Sequence, residues 1–192
     1  MRGRRSQTWL ARAGAALLAA TALAGAAGVT LSAQAERAGA APPDGPPIEG
    51  VFLLDSAAGD SLEDVIDRGV GLLPWYKRPF ARGRLREATR PAAWVSIEPG
   101  PDTLRIRTEV DDLRIPWEGG IEDWRWKPDE YVDVTASWDG DDLLQDFRGS
   151  DGSRYNRYVP SPDGRRLELR VRIESDQLAE PLRYRLFYAR RD

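Results

Sequence analysis

The chain of 192 residues contains no cysteine and no histidine. Without cysteine there are no disulfides, no thiolate nucleophiles and no zinc–thiolate sites. Without histidine the commonest general base and the commonest transition-metal ligand are gone, so a Ser-His-Asp triad and most catalytic zinc sites cannot be assembled. Positive charge is not in excess either, with 28 Lys and Arg against 31 Asp and Glu. Nucleic acid, which needs a concentrated positive surface, is therefore not an expected partner.

One long uncharged apolar run stands out. Met1-Arg2-Gly3-Arg4-Arg5 is followed by Ala13 to Ala35, free of charge and ending in Ala33-Gln34-Ala35. A basic start, an apolar stretch and an A-x-A end form a secretory signal, so residues 1–35 are expected to be removed on export to a periplasmic or extracellular site. An uncleaved anchor is the competing reading, since the run is long enough to span a bilayer. Arg4-Arg5 ahead of Trp9-Leu10 is similar to a twin-arginine signal with its spacing displaced by a residue. No cysteine follows the cleavage site, which excludes a lipoprotein anchor. Cleavage leaves 157 residues and, with four arginines lost, takes the net charge from −3 to −7. Residues 36–47, rich in Ala, Gly and Pro, are expected to be an extended tether, and residues 48–192 one domain.

Within that domain the dominant pattern is alternation. Leu167, Leu169, Val171 and Ile173 alternate with charged residues, and Leu182, Tyr184, Leu186 and Tyr188 do so around Arg183 and Arg185. Successive side chains of a strand point to opposite faces, so two strands are predicted, each with one apolar and one charged face. Trp94–Glu98, Leu104–Arg107, Leu113–Ile115 and Tyr131–Trp138 repeat the pattern, and Trp117–Pro128 reads as an irregular edge strand or loop. Asp139-Gly140, Asp151-Gly152 and Asp163-Gly164 mark hairpins about a dozen residues apart. A meander of this kind must bury one face and hide its edges, and closing into a barrel does both.

Ahead of the meander, Gly50–Asp55 is a predicted first strand. Ser61, followed by Glu63 and Asp64, has the form of a helix start. Pro74 and Pro79 are expected to divide the helical region, about 61–90, into two pieces. Its second half carries Lys77, Arg78, Arg82, Arg84, Arg86 and Arg90 against a single acid, Glu87. These cations form either a patch for an anionic partner such as lipid headgroups, acidic glycans or a protein, or a solvated helix face paired with the acidic surface of the barrel.

Ser153 to Leu167, with its Ser161-Pro162-Asp163-Gly164 turn, and the terminal hairpin Leu178 to Tyr188 resemble the end of a broad set of secreted bacterial proteins of uncharacterised function with lipocalin-like barrels. Gly50-Val51-Phe52 is similar to the Gly-x-Trp that opens the first strand of lipocalins, with Phe in place of Trp. The resemblance implies a mainly β fold, an antiparallel meander closing into a lipocalin-like barrel with a helical insert after the first strand. It also implies that Arg185 or Arg190 is the last-strand arginine that covers the opening aromatic. Such turn motifs specify fold far better than function.

Small barrels are either filled by their side chains or hold one small ligand. Trp94, Trp117, Trp124, Trp126 and Trp138 are the candidate lining of a cavity for an apolar or amphipathic molecule. Alternatively, Trp94 and Trp138 belong to the core and Trp124 and Trp126 to a lid or packing patch. Asp139, Asp141, Asp142 and Asp146 offer calcium-type oxygens, yet their spacing is not that of a calcium loop and Asp-Gly turns account for them. The pairs Asp111-Asp112 and Glu122-Asp123 can be considered for acid/base work, yet a chain with 31 acids throws up such pairs by chance, and nothing in the sequence marks either as buried or poised. The expectation is an exported, monomeric, non-catalytic binding protein without a cofactor. Its alternative is a filled module that contacts an anionic surface or protein through the basic segment. Cavity binding would be insensitive to salt and surface binding would fade with it.

Overall fold

A computed structural model describes residues 48–127 and 130–191; the expected signal and tether lie outside the described residues. The elements are β1 (Gly50–Gly59), α1 (Leu62–Gly71), α2 (Arg78–Ala88), β2 (Trp94–Pro99), β3 (Thr103–Arg107), β4 (Asp112–Pro116), β5 (Ile121–Lys127), β6 (Glu130–Asp139), β7 (Asp142–Gly149), β8 (Gly152–Pro160), β9 (Arg166–Ser175) and β10 (Leu182–Arg190). All neighbours are antiparallel, and the order in the single sheet is β4-β3-β2-β1-β10-β9-β8-β7-β6-β5. Because β1 pairs with both β2 and β10, the meander wraps into a nearly closed barrel with one seam, between β4 and β5.

The charged and apolar alternation sets the register. In β9 and β10, Leu167 faces Tyr188, Leu169 faces Leu186, Val171 faces Tyr184 and Ile173 faces Leu182. All eight are buried, as the two apolar faces require. On the outer face Arg170 lies opposite Arg185 and Arg172 opposite Arg183. That like-charge contact is relieved by Glu168, Asp60 and Glu174, which pair with Arg170, Arg185 and Arg172. Of the three Asp-Gly signals, those at Gly140 and Gly164 take positive φ (63° and 67°) in their turns. Gly152 instead opens β8, where a Cβ would come within 2.3 Å of the Glu174 carbonyl, so close packing rather than dihedral freedom requires glycine there.

The barrel has a packed end and an open end. At the packed end Ile48, Phe52, Leu104, Ile115, Leu143 and Leu167 are fully buried. Arg190 resolves the choice left by the resemblance. Its guanidinium sits 5.6 Å from the Phe52 ring centroid and donates to the Glu49 and Gly164 carbonyls, whereas Arg185 pairs with Asp60. Across the seam Trp117 and Trp138 meet with ring centroids 5.8 Å apart. Strand β5, at the edge, is irregular as expected, with two register shifts and a positive φ (51°) at Asp123.

The helices cover the open end. Ser61 caps α1 through its side chain, which accepts from Asp64 N, and Val65, Ile66 and Val70 are buried. Helix α1 lies close to β10 at Gly69, where a Cβ would meet Leu182 Cδ1 at 2.8 Å and the leucine side chain would have to shift. Helix α2 buries only Leu85. Pro79 does not interrupt this helix: it lies in the first turn, where its missing N–H costs nothing. Two ion pairs, Arg82–Asp67 and Arg86–Glu63, join α2 to α1, and Arg78 donates to the Leu73 and Gly71 carbonyls at 2.9 and 3.0 Å.

Candidate functional site

Beneath α2, at the open end, lies a cavity of about 290 Å³. Its apolar wall is made by Leu85 and Ala88 of α2, Trp124 and Trp126 of β5, Phe147 of β7 and Ile173 of β9. The indole of Trp124 and the ring of Phe147 are tilted against each other at 6.2 Å. The polar residues facing this space include Arg84, Asp111 and Arg154. Strand alternation carries Arg154 inward, since it shares a face of β8 with the buried Asn156 and Tyr158.

Arg154 heads a polar relay that descends into the barrel. Its Nη1 donates to the Ala88 carbonyl at the end of α2 (2.9 Å), and its Nε donates to Asn156 Oδ1 (2.9 Å). Asn156 Nδ2 and the Tyr158 hydroxyl both donate to Gln145 Oε1, at 3.1 and 3.0 Å. Gln145 Nε2, the Tyr184 hydroxyl and Trp138 Nε1 are buried with no protein partner. Polar atoms in such a position are costly unless water or a guest satisfies them. The open end therefore offers a cation bonded to the lid, an aromatic wall beside it and unused hydrogen-bonding capacity below.

Burial governs the protonation of the groups inside. It pushes the Tyr158 phenol up from an ordinary 10.0 to about 12, and Tyr184 and Tyr188 upward as well, while the positive charge of Arg154 works the other way on all three. Asp111 is also raised by burial, opposed by Arg154. A phenol whose folded pKa exceeds its unfolded value supports stability below about pH 10, and that support is lost as pH climbs towards about 12. The urea midpoint is accordingly expected to fall steadily above pH 10, with phenolate absorbance rising together with unfolding. Complete phenol titration at an unchanged midpoint would contradict this account of the interior.

The five candidate tryptophans are dispersed. Trp124 and Trp126 line the cavity. Trp117 and Trp138 clasp the seam at the packed end, with Trp117 Nε1 donating to the Gly100 carbonyl at 2.9 Å. Trp94 pairs with Leu53 in register, on the opposite face from buried Val95 and Phe52, and is directed outward. Of the basic segment, Arg84 reaches the cavity rim, 3.8 Å from Glu130. Arg78, Arg82 and Arg86 are engaged within the helical pair, while Lys77 and Arg90 stand exposed at the two ends of α2. Arg154 and Gln145 carried no signal in the sequence. Of the other candidates, Arg157 holds both Asp139 and Asp142, Asp146 is paired with Arg148, and Asp112 pairs outward with Arg105 while Asp111 turns to the cavity. Among the described residues no three His, Cys, Asp or Glu side chains are grouped to hold a metal.

No family model matches the chain, and no curated protein matches it. Solved structures do. A secretory abundant heat soluble protein from Ramazzottius varieornatus is similar over 77% of this chain and 97% of its own, at 12% identity and a TM-score of 0.51. A REP1-NXSQ fatty acid transporter is similar over 75% of this chain and 96% of its own (16% identity, TM-score 0.45). A Schistosoma mansoni fatty acid binding protein in complex with arachidonic acid is similar over 76% and 97% (13% identity, TM-score 0.45). At 12% identity the likeness to the heat soluble protein is one of fold alone, the nearly closed antiparallel barrel described above.

Proposed function

We propose that the protein is an exported, non-catalytic carrier of a small amphipathic molecule in the bacterial envelope, held at the open end of the barrel. The cavity beneath α2 carries this reading, because it sets an aromatic and aliphatic wall beside one inward arginine. Apolar surface supplies affinity and a few placed polar groups supply orientation. The tail of the ligand packs on Trp124, Trp126 and Phe147, and its anionic or strongly polar head meets Arg154. The space suits a single small chain or ring system. The acids Glu130 and Glu174 at the rim are paired with Arg84 and Arg172, which suits a binding site better than acid/base work by these two carboxylates.

Titration with a medium-chain carboxylate or an anionic hydrophobic dye, followed by tryptophan emission, tests the proposal. A saturable change at one ligand per chain is expected, lost for the most part in Trp124→Phe/Trp126→Phe and retained in Trp94→Phe. A response that survives the double substitution, or none in the folded protein, would remove the cavity as the binding site.

A further inference from the structure

The turn between α1 and α2 is the most apolar exposed surface among the described residues. Trp75 and Phe80 are each 80% exposed, Tyr76 58% and Leu72 57%. Four large apolar side chains within nine residues of sequence form a patch of the kind that marks a contact rather than chance exposure. Trp75 and Tyr76 meet edge to face with centroids 6.1 Å apart, leaving both rings outermost. The turn beneath them is fixed, because Arg78 is bonded to the carbonyls that end α1.

Along the sequence the charge beside this tip has one sign. From Leu72 to Arg86 the sequence has five cations and no acid. Arg82, Arg84 and Arg86 are paired with Asp67, Glu130 and Glu63, but among the described residues Lys77 and Arg78, beside the aromatics, meet no carboxylate. A domain of acidic overall balance thus presents a protruding apolar tip flanked by Lys77 and Arg78. Trp and Tyr favour the boundary between headgroups and acyl chains, and basic residues next to them are drawn to anionic lipid.

From this juxtaposition we infer that the α1–α2 turn docks on an anionic lipid bilayer, with Trp75, Tyr76 and Phe80 entering the headgroup boundary and Lys77 and Arg78 contacting the phosphates. Helix α2 then lies along the surface. This inference does not depend on the ligand reading. If both hold, docking brings the mouth of the cavity to the membrane, since Leu85 and Ala88 on the same helix form its roof.

The absence of cysteine allows a nitroxide label to be placed at will in the full chain, as Tyr76→Cys on the tip and as Asp141→Cys in the β6–β7 turn at the packed end. With vesicles of phosphatidylcholine and phosphatidylglycerol, and no ligand, the label at 76 should lose access to a water-soluble relaxant and gain access to oxygen, while the label at 141 stays in water. Trp75→Ser/Phe80→Ser should weaken this protection by at least about tenfold in lipid concentration, and Lys77→Glu should weaken it on these vesicles but not on pure phosphatidylcholine. Vesicle binding with the label at 76 still in water would place the attachment elsewhere on the chain and overturn the inference. Burial of that label without vesicles would do the same, in favour of a second copy or another part of the chain.

Discussion

Replacing Phe52 by alanine is expected to destabilise the protein by about 3–5 kcal/mol, the range for removing a large buried aromatic, and so to lower the melting temperature by on the order of 10 °C. Phe52 is fully buried at the packed end, as are Ile48 and, near the starts of β3, β7 and β9, Leu104, Leu143 and Leu167, so little can collapse into the void. Arg190→Ala should cost less, about 1–3 kcal/mol, because its guanidinium is partly solvated although it bonds two carbonyls and covers the ring. The two residues touch, so their effects should not add. A double-mutant cycle by urea denaturation should give a coupling of about 0.5–1 kcal/mol. Arg185→Ala is the control, since its partner Asp60 lies on the outer face. A greater loss there than at Arg190 would contradict the assignment of the covering arginine.

Arg154→Gln is expected to weaken binding of an anionic amphiphile by roughly 10- to 100-fold, corresponding to the loss of one or two charge-assisted hydrogen bonds. A neutral alcohol of the same chain length should lose only a few-fold. The contrast matters because Arg154 also holds the end of α2, through the Ala88 carbonyl. If the substitution acted only by loosening the lid, both ligands would weaken alike. Calorimetric titration of the pair at one ionic strength distinguishes head-group recognition from lid support. Equal losses would leave the cavity without its proposed polar anchor.

How much of this was readable beforehand depends on how plainly each strand writes its two faces. In β9 and β10 the alternation is uninterrupted, and all eight residues picked from it are buried. Ser61 likewise announces its helix, because a capping oxygen before acidic residues has few other uses. Strand β8 is different: Ser153, Arg154, Tyr155, Asn156, Arg157 and Tyr158 are polar or amphipathic throughout, so the alternation does not say which set turns inward. The inward set contains Arg154, and the outward set contains Arg157 with its two aspartates. Gln145 is hidden in the same way, beside Leu143 and Leu144, which compete for the interior. The tryptophans were drawn together by composition, but depth along the barrel axis is decided by the stagger of the strands. That places Trp117 and Trp138 at the floor and Trp124 and Trp126 at the mouth.

The seam gives the barrel an adjustable girth. Strands β4 and β5 are the two ends of the sheet and no register pairs them, so widening the hoop there breaks no rung of the ladder. It only parts side chains, chiefly the Trp117 and Trp138 rings. Dispersion contacts yield by degrees whereas a hydrogen-bonded strand pair yields all at once. On the proposed reading, a guest bulkier than the resting cavity would be admitted by stretching the circumference, with every strand still joined to the neighbours it has.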